Sequence, residues 1–142
     1  MQNLSYLLIK ASRQLKNKLD KALKKFDITA AQFSVINQIK SSEQPITAAE
    51  IAQRLGSDWP TISGIVNRLE KKGVLLKVDN PEDKRSCYLQ IDIESNHLIE
   101  RITAISHELT LEVFSIYSEK EAEQLAKMIH KLIERTEENF IK

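Results

Sequence analysis

A single cysteine, Cys87, stands in the 142 residues, so no internal disulfide can form and the fold holds without cross-links. That usage makes the cytoplasm the expected location. Glycine and proline number three each, too few for a many-turned sheet protein, which favours long helices. No apolar run approaches the roughly 18 residues that span a bilayer, so no membrane partner is expected. The short apolar opening Leu4–Ile9 is closed by Lys10 without a cleavage-like ending, which argues against a secretory signal. Net charge is only +1, so bulk attraction to nucleic acid is excluded as an argument. A Gly-rich phosphate loop, a Ser/His/Asp order and paired metal-ligand spacings are all missing. We therefore expect no enzyme, no cofactor and no metal. His97 and His107 do not share a helix face, and neither they nor His130 has a Cys or paired-His spacing that supports a site.

Charge is uneven along the chain. Residues 1–26 carry seven Lys or Arg against Asp20 alone, while residues 93–142 carry ten Glu against six Lys or Arg. Ends of opposite sign attract if both lie in one assembly; two solvated helical faces are the plainer reading.

The periodicity is helical over most of the length. Leu4, Leu7, Leu8, Ala11, Leu15, Leu19, Ala22, Leu23 and Phe26 form one apolar stripe on a long first helix. Thr29 and Gln32 have capping-box spacing, with Ile28 and Phe33 placed as a hydrophobic staple, and the helix they open runs to about Lys40 with Phe33, Ile36 and Ile39 inward. The device repeats with Thr47 and Glu50, stapled by Ile46 and Ile51, and starts a short helix with Ile51, Ala52 and Leu55 inward. Gly56 ends that helix in the left-handed conformation. A further helix starts within Ser57–Pro60 and stops at Gly73. Two helices joined by so tight a turn have the spacing of a helix-turn-helix.

Strand pattern replaces helix in Val74–Val78 and Cys87–Ile91, with Asn80-Pro81 opening the turn between them. An isolated two-stranded ribbon is barely stable in water, so this one must lean on the helices and leave its tip free. Helix returns after Asp92. Leu98, Ile102, Ile105, Leu109, Val113 and Ile116 form one stripe. Ser118 and Glu121 make a third capping box, before a last helix with Ala122, Leu125, Ile129, Leu132, Ile133 and Phe140 on one side.

At about 100° per residue, Ile62, Ile65, Val66 and Leu69 share one face of the helix over residues 60–72. Opposite lie Pro60, Gly64, Asn67 and Lys71, flanked by Thr61, Ser63 and Arg68. Small groups, one amide and cations suit a DNA major groove: Asn67 can pair with adenine, and Arg68 or Lys71 with guanine or phosphate. Beside such a helix, a projecting ribbon reaches an adjacent minor groove, where Arg85 meets strong negative potential. Asp83, two residues earlier, is expected to hold Arg85 or the turn backbone in place.

The run Ser57-Asp58-Trp59-Pro60-Thr61-Ile62-Ser63, then Asn67-Arg68-Leu69-Glu70-Lys71-Lys72-Gly73-Val74, then Asn80-Pro81-Glu82-Asp83-Lys84-Arg85-Ser86, resembles the MarR (multiple antibiotic resistance regulator) family over essentially the whole chain. The resemblance implies a mainly α fold with a small β-hairpin wing: a winged helix-turn-helix over residues 28–92, and dimerisation helices in 1–27 and 93–142, all in one MarR-like domain. It implies a homodimeric repressor that binds an inverted-repeat operator in double-stranded DNA. The recognition-helix candidates are Pro60, Thr61, Ser63, Gly64, Asn67, Arg68 and Lys71; the wing candidates are Asp83, Lys84, Arg85 and Ser86. Leu4, Leu8, Leu15, Leu109, Val113, Ile116, Ile129 and Leu132 are the dimerisation candidates. Regulators of this kind usually release DNA when a small-molecule effector or an oxidant alters the dimer. Cys87 is the candidate redox sensor, with inert strand packing as the commoner role for such a residue. The sequence departs from the family where Gly64 replaces a common arginine, Pro60 a frequent serine, and Ile91-Asp92 with Ser95 the usual Leu-Thr and glycine. The competing reading is a winged-helix module that binds protein instead of DNA.

Overall fold

The structure, a computed structural model, describes residues 3–137, which form six α-helices and three short strands. In chain order these are α1 (Leu4–Leu23), α2 (Ala30–Ser41), β1 (Ile46–Thr47), α3 (Ala48–Leu55), α4 (Trp59–Lys71), β2 (Leu75–Asp79), β3 (Cys87–Ile91), α5 (Asn96–Phe114) and α6 (Glu119–Glu137). The chain divides into two compact units, residues 1–106 and 107–142. No helix among the described residues is long and apolar enough to cross a membrane.

The core of the first unit is built from the inward faces that periodicity picks out. Ile36 of α2, Ile51 of α3, Ile62, Val66 and Leu69 of α4, Leu75 of β2, and Ile99 and Ile102 of α5 are buried together. Each such side chain removed from water contributes about 1.5–3 kcal/mol before entropy is charged. Leu23, at the end of α1, joins them, but Leu4, Leu7, Leu8 and Leu15 of the same helix are exposed. The stripe also ends earlier than expected as regular helix, because Lys24–Phe26 tighten into a 3-10 turn that Asp27 closes at φ 56°.

The helix starts follow the caps. Thr29 accepts from the Gln32 N–H while Gln32 accepts from the Thr29 N–H, and both staple residues, Ile28 and Phe33, are buried. Asp20, the only acid in the basic first helix, accepts from the Ala30 N–H at 2.6 Å and so helps satisfy the same helix end. At α6 the box of Ser118 and Glu121 is complete. At α3 it is half made: Thr47 accepts from the Glu50 N–H, but the Glu50 carboxylate takes the Thr47 hydroxyl instead of its backbone N–H.

Four expectations need correction. The ribbon is not two-stranded, because Ile46–Thr47 pair with β3 and complete an antiparallel sheet in the order β1-β3-β2. Its first long strand starts at Leu75; the Val74 N–H is still engaged by Leu69 at the end of α4. Leu55 is 36% exposed, since Ile51 and Ala52 already fill the inward side of an eight-residue helix. Ile116 lies beyond the end of α5 at Phe114 and is exposed, so it is not part of that helix's stripe. Phe140 falls outside the described residues.

Candidate nucleic-acid interface

Helix α4 begins at an aspartate cap. Asp58 accepts from the Thr61 N–H at 2.8 Å and from the Thr61 hydroxyl at 2.9 Å. The backbone bond, then the hydroxyl bond, holds this carboxyl below the ordinary aspartate range. Pro60 follows in the first turn, where its missing N–H costs no helical bond. The tight turn before α4 is made by Gly56, at φ 64°, which closes α3 by donating to Ala52 and Gln53. With α3 and α4 pinned this way, Pro60, Thr61, Gly64, Asn67, Arg68 and Lys71 are exposed together, as the wheel predicts. Ser63 is half-buried instead and faces a cavity beside the wing. Among the described residues, Arg68 and Lys71 form no ion pair, which leaves their charge available.

The far end of α4 is clamped from both sides. Lys72 donates to the Asp27 carbonyl and to Gln32, and pairs with the Asp27 carboxylate at 3.4 Å. The Asp92 N–H returns to Val74 O, and the Ser95 hydroxyl donates to Gly73 O at 3.0 Å. Asp92 caps the following 3-10 turn by accepting from Glu94. Asp92 and Ser95 thus fasten the wing's root to the end of the helix.

At the wing tip, Asp83 does both things expected of it. Its Oδ1 accepts from the Arg85 N–H at 3.0 Å and from Arg85 Nε at 3.4 Å. The guanidinium stays 93% exposed while Asp83 is 45% exposed, so the arginine is aimed without being covered. Asn80, in sequence terms a turn opener, is the hub of the loop. It is buried, accepts from the Glu82 N–H, and donates to Ser86 Oγ at 3.2 Å. Ser86 is therefore tied into the turn, and Lys84 is exposed at the tip.

Sequence reasoning also missed Lys77 on β2. Its ammonium donates to Asn67 Oδ1 at 2.7 Å and lies 3.5 Å from the Glu70 carboxylate, joining wing strand to recognition helix. The only signal was the outward position of a cation on a strand next to a helix with an outward amide. Around this link lies a cavity of about 170 Å³, bordered by Ser63 and Asn67 of α4 and by Lys77, Arg85, Ser86 and Cys87 of the wing. Cys87 is half-buried there. Among the described residues, no three His, Cys, Asp or Glu side chains are grouped to hold a metal ion.

A sequence model of the MarR family matches residues 26–86. The uncharacterized HTH-type transcriptional regulator YdcH of Bacillus subtilis is 32% identical over 89 residues, covering 61% of this chain and 60% of that protein. The chain thus aligns with less than two thirds of that relative's length. A crystal structure of the S. aureus MepR–DNA complex superposes with TM-score 0.86 at 28% identity, over 95% of this chain and 99% of that one. A mutant MarR from E. coli complexed with operator DNA matches with TM-score 0.83 at 25% identity, over 92% and 94% of the two chains.

Proposed function

This chain belongs to the MarR family of winged helix-turn-helix transcriptional regulators, and from that premise we propose that it acts in the cytoplasm as a homodimeric repressor on an inverted-repeat operator. Helix α4 enters the major groove and Arg85 the adjacent minor groove. The observation that carries this reading is the shared border of one cavity by Asn67 and Arg85. It makes the outward face of α4 and the braced wing tip neighbours in a single unit. The DNA complexes of MepR and MarR, both of this fold, support the same use.

Residues 1–27 and 93–142 form the dimerisation region of one MarR-like domain. Support comes from each unit separately. In the first, Leu4, Leu8 and Leu15 leave apolar surface exposed on α1; in the second, Ile129 and Leu132 do so on α6. Leu109 and Val113 of α5 are half-buried, and exposed Ile116 follows them. Side chains of this class each gain about 1.5–3 kcal/mol on burial, which a second chain can supply. Release of DNA follows binding of a small-molecule effector, or an oxidant, that alters the dimer.

Selection of bound fragments from random duplexes tests this. The expected winners are inverted repeats with half-site centres about 34 Å, or one turn, apart. Their affinity should fall about 10³–10⁵-fold between about 50 and 200 mM salt if 6–10 phosphates are neutralised. Failure to enrich any sequence at low salt, or a monomer by sedimentation, overturns the proposal.

A further inference from the structure

We infer that Lys77 sets which base Asn67 reads, turning an adenine-reading amide into a guanine-reading one. The inference rests on the DNA-binding reading above. A bidentate contact with adenine requires an asparagine to donate through Nδ2 to N7 and to accept through Oδ1 from the N6 amino group. In this protein Oδ1 already accepts from Lys77 Nζ at 2.7 Å. An ammonium has donors only, so it fixes the amide with oxygen toward the strand and Nδ2 turned away. One lone pair of Oδ1 remains. An adenine amino group that used it would be brought against the ammonium, donor facing donor, with a positive charge beside it.

A guanine edge meets the opposite situation. Its O6 and N7 are both acceptors. Asn67 Nδ2 and the Lys77 ammonium, which is 35% exposed, then present an all-donor front to it. Glu70, 3.5 Å from Lys77, holds the ammonium from the α4 side. Lys77 is thus a specificity-determining residue on the wing strand, acting through a recognition-helix side chain as well as by its own charge.

Base preference, not affinity alone, is the readout. Random inverted-repeat duplexes are selected with the wild type and with Asn67→Ala, Lys77→Met and Lys77→Arg. The position whose preference disappears in Asn67→Ala is the one Asn67 reads. The wild type and Lys77→Arg should select guanine there. Lys77→Met should shift toward adenine by roughly tenfold in relative affinity. Should Lys77→Met not fold, Lys77→Gln removes the same charge and keeps a polar head. Adenine at that position in the wild type overturns the inference. So does a Lys77→Met variant that keeps guanine while binding all sequences equally less well, or an Asn67→Ala variant with every preference intact. A wild-type protein that enriches no sequence at all refutes the DNA-binding reading itself, and the inference with it.

Discussion

Replacing Arg85 with alanine separates DNA binding from folding because the structure gives this side chain so little else to do. Its one ion pair among the described residues, with Asp83 at 3.4 Å, joins a 93% exposed guanidinium to a 45% exposed carboxylate. Pairs in that setting contribute about 0–1 kcal/mol, so the thermal midpoint should barely move. In the groove the same group is worth far more. A hydrogen bond to a charged donor contributes about 1.5–3 kcal/mol, and the proposed dimer has two, so Arg85→Ala should cost at least about 3 kcal/mol, roughly a hundredfold in Kd. Each phosphate neutralised adds about 0.9 to the slope of log K against log salt, so losing two arginines should reduce that slope by about 1.8. The assay is fluorescence anisotropy of a labelled selected duplex at several salt concentrations, with sedimentation to show that the dimer persists. Asp83→Ala is the companion variant. It frees the Arg85 backbone and side chain but keeps the charge, so affinity should fall less and the slope should stay. If Arg85→Ala binds like the parent with an unchanged slope, the wing does not enter a groove, and the braced geometry of the tip has another purpose.

Two other perturbations probe the recognition helix. A methyl group built onto Gly64 meets nothing within 4 Å. Gly64→Ala should therefore stabilise the free protein by about 0.5–1 kcal/mol through helix propensity, seen as a higher melting temperature, yet weaken operator binding, because the backbone can no longer approach the bases as closely. Unchanged affinity would place the helix further from the groove floor. Asp58, whose carboxyl is held below its ordinary range by the Thr61 N–H and hydroxyl, makes the start of α4 acid-sensitive. A depressed folded value means that the stabilisation is present above the unfolded aspartate pKa of about 3.9 and is lost as pH falls through the lower folded value. Circular dichroism melts taken below about pH 5 should show a steeper acid loss for the wild type than for Asp58→Asn; parallel curves would sever this link.

Much of the architecture was legible because its signals are local. Thr29, Gln32, Ser118 and Glu121 announce helix starts through bonds that span three residues, and the structure makes those bonds. The outward face of α4 follows from angular spacing alone, and Asp83 needs to reach only two residues to hold Arg85. What stayed hidden depends on partners distant in sequence or on elements too short to show a period. The two-residue β1 has no alternation to detect and looked like nothing more than a staple and a cap. Lys77 gains its role only when β2 is folded against α4, and Asn80 its hub position only once the turn closes on Ser86. The stripe on α1 shows which side is apolar, but not that Leu23 would be buried and Leu19 packed against the core while Leu4 and Leu8 stay exposed.

Thr47 is both the last rung of β1 and the anchor of α3, and at the other end of α4 the clamps of Lys72, Asp92 and Ser95 leave no slack. Among the described residues, ribbon and helix pair are thus tied together by hydrogen bonds beyond both ends of α4. In the proposed dimer, an effector that leaves these bonds intact moves one whole reading head against the other, like the jaws of a caliper. Induction should accordingly change which spacer lengths between half-sites are tolerated, while the half-site sequence each head prefers remains the same.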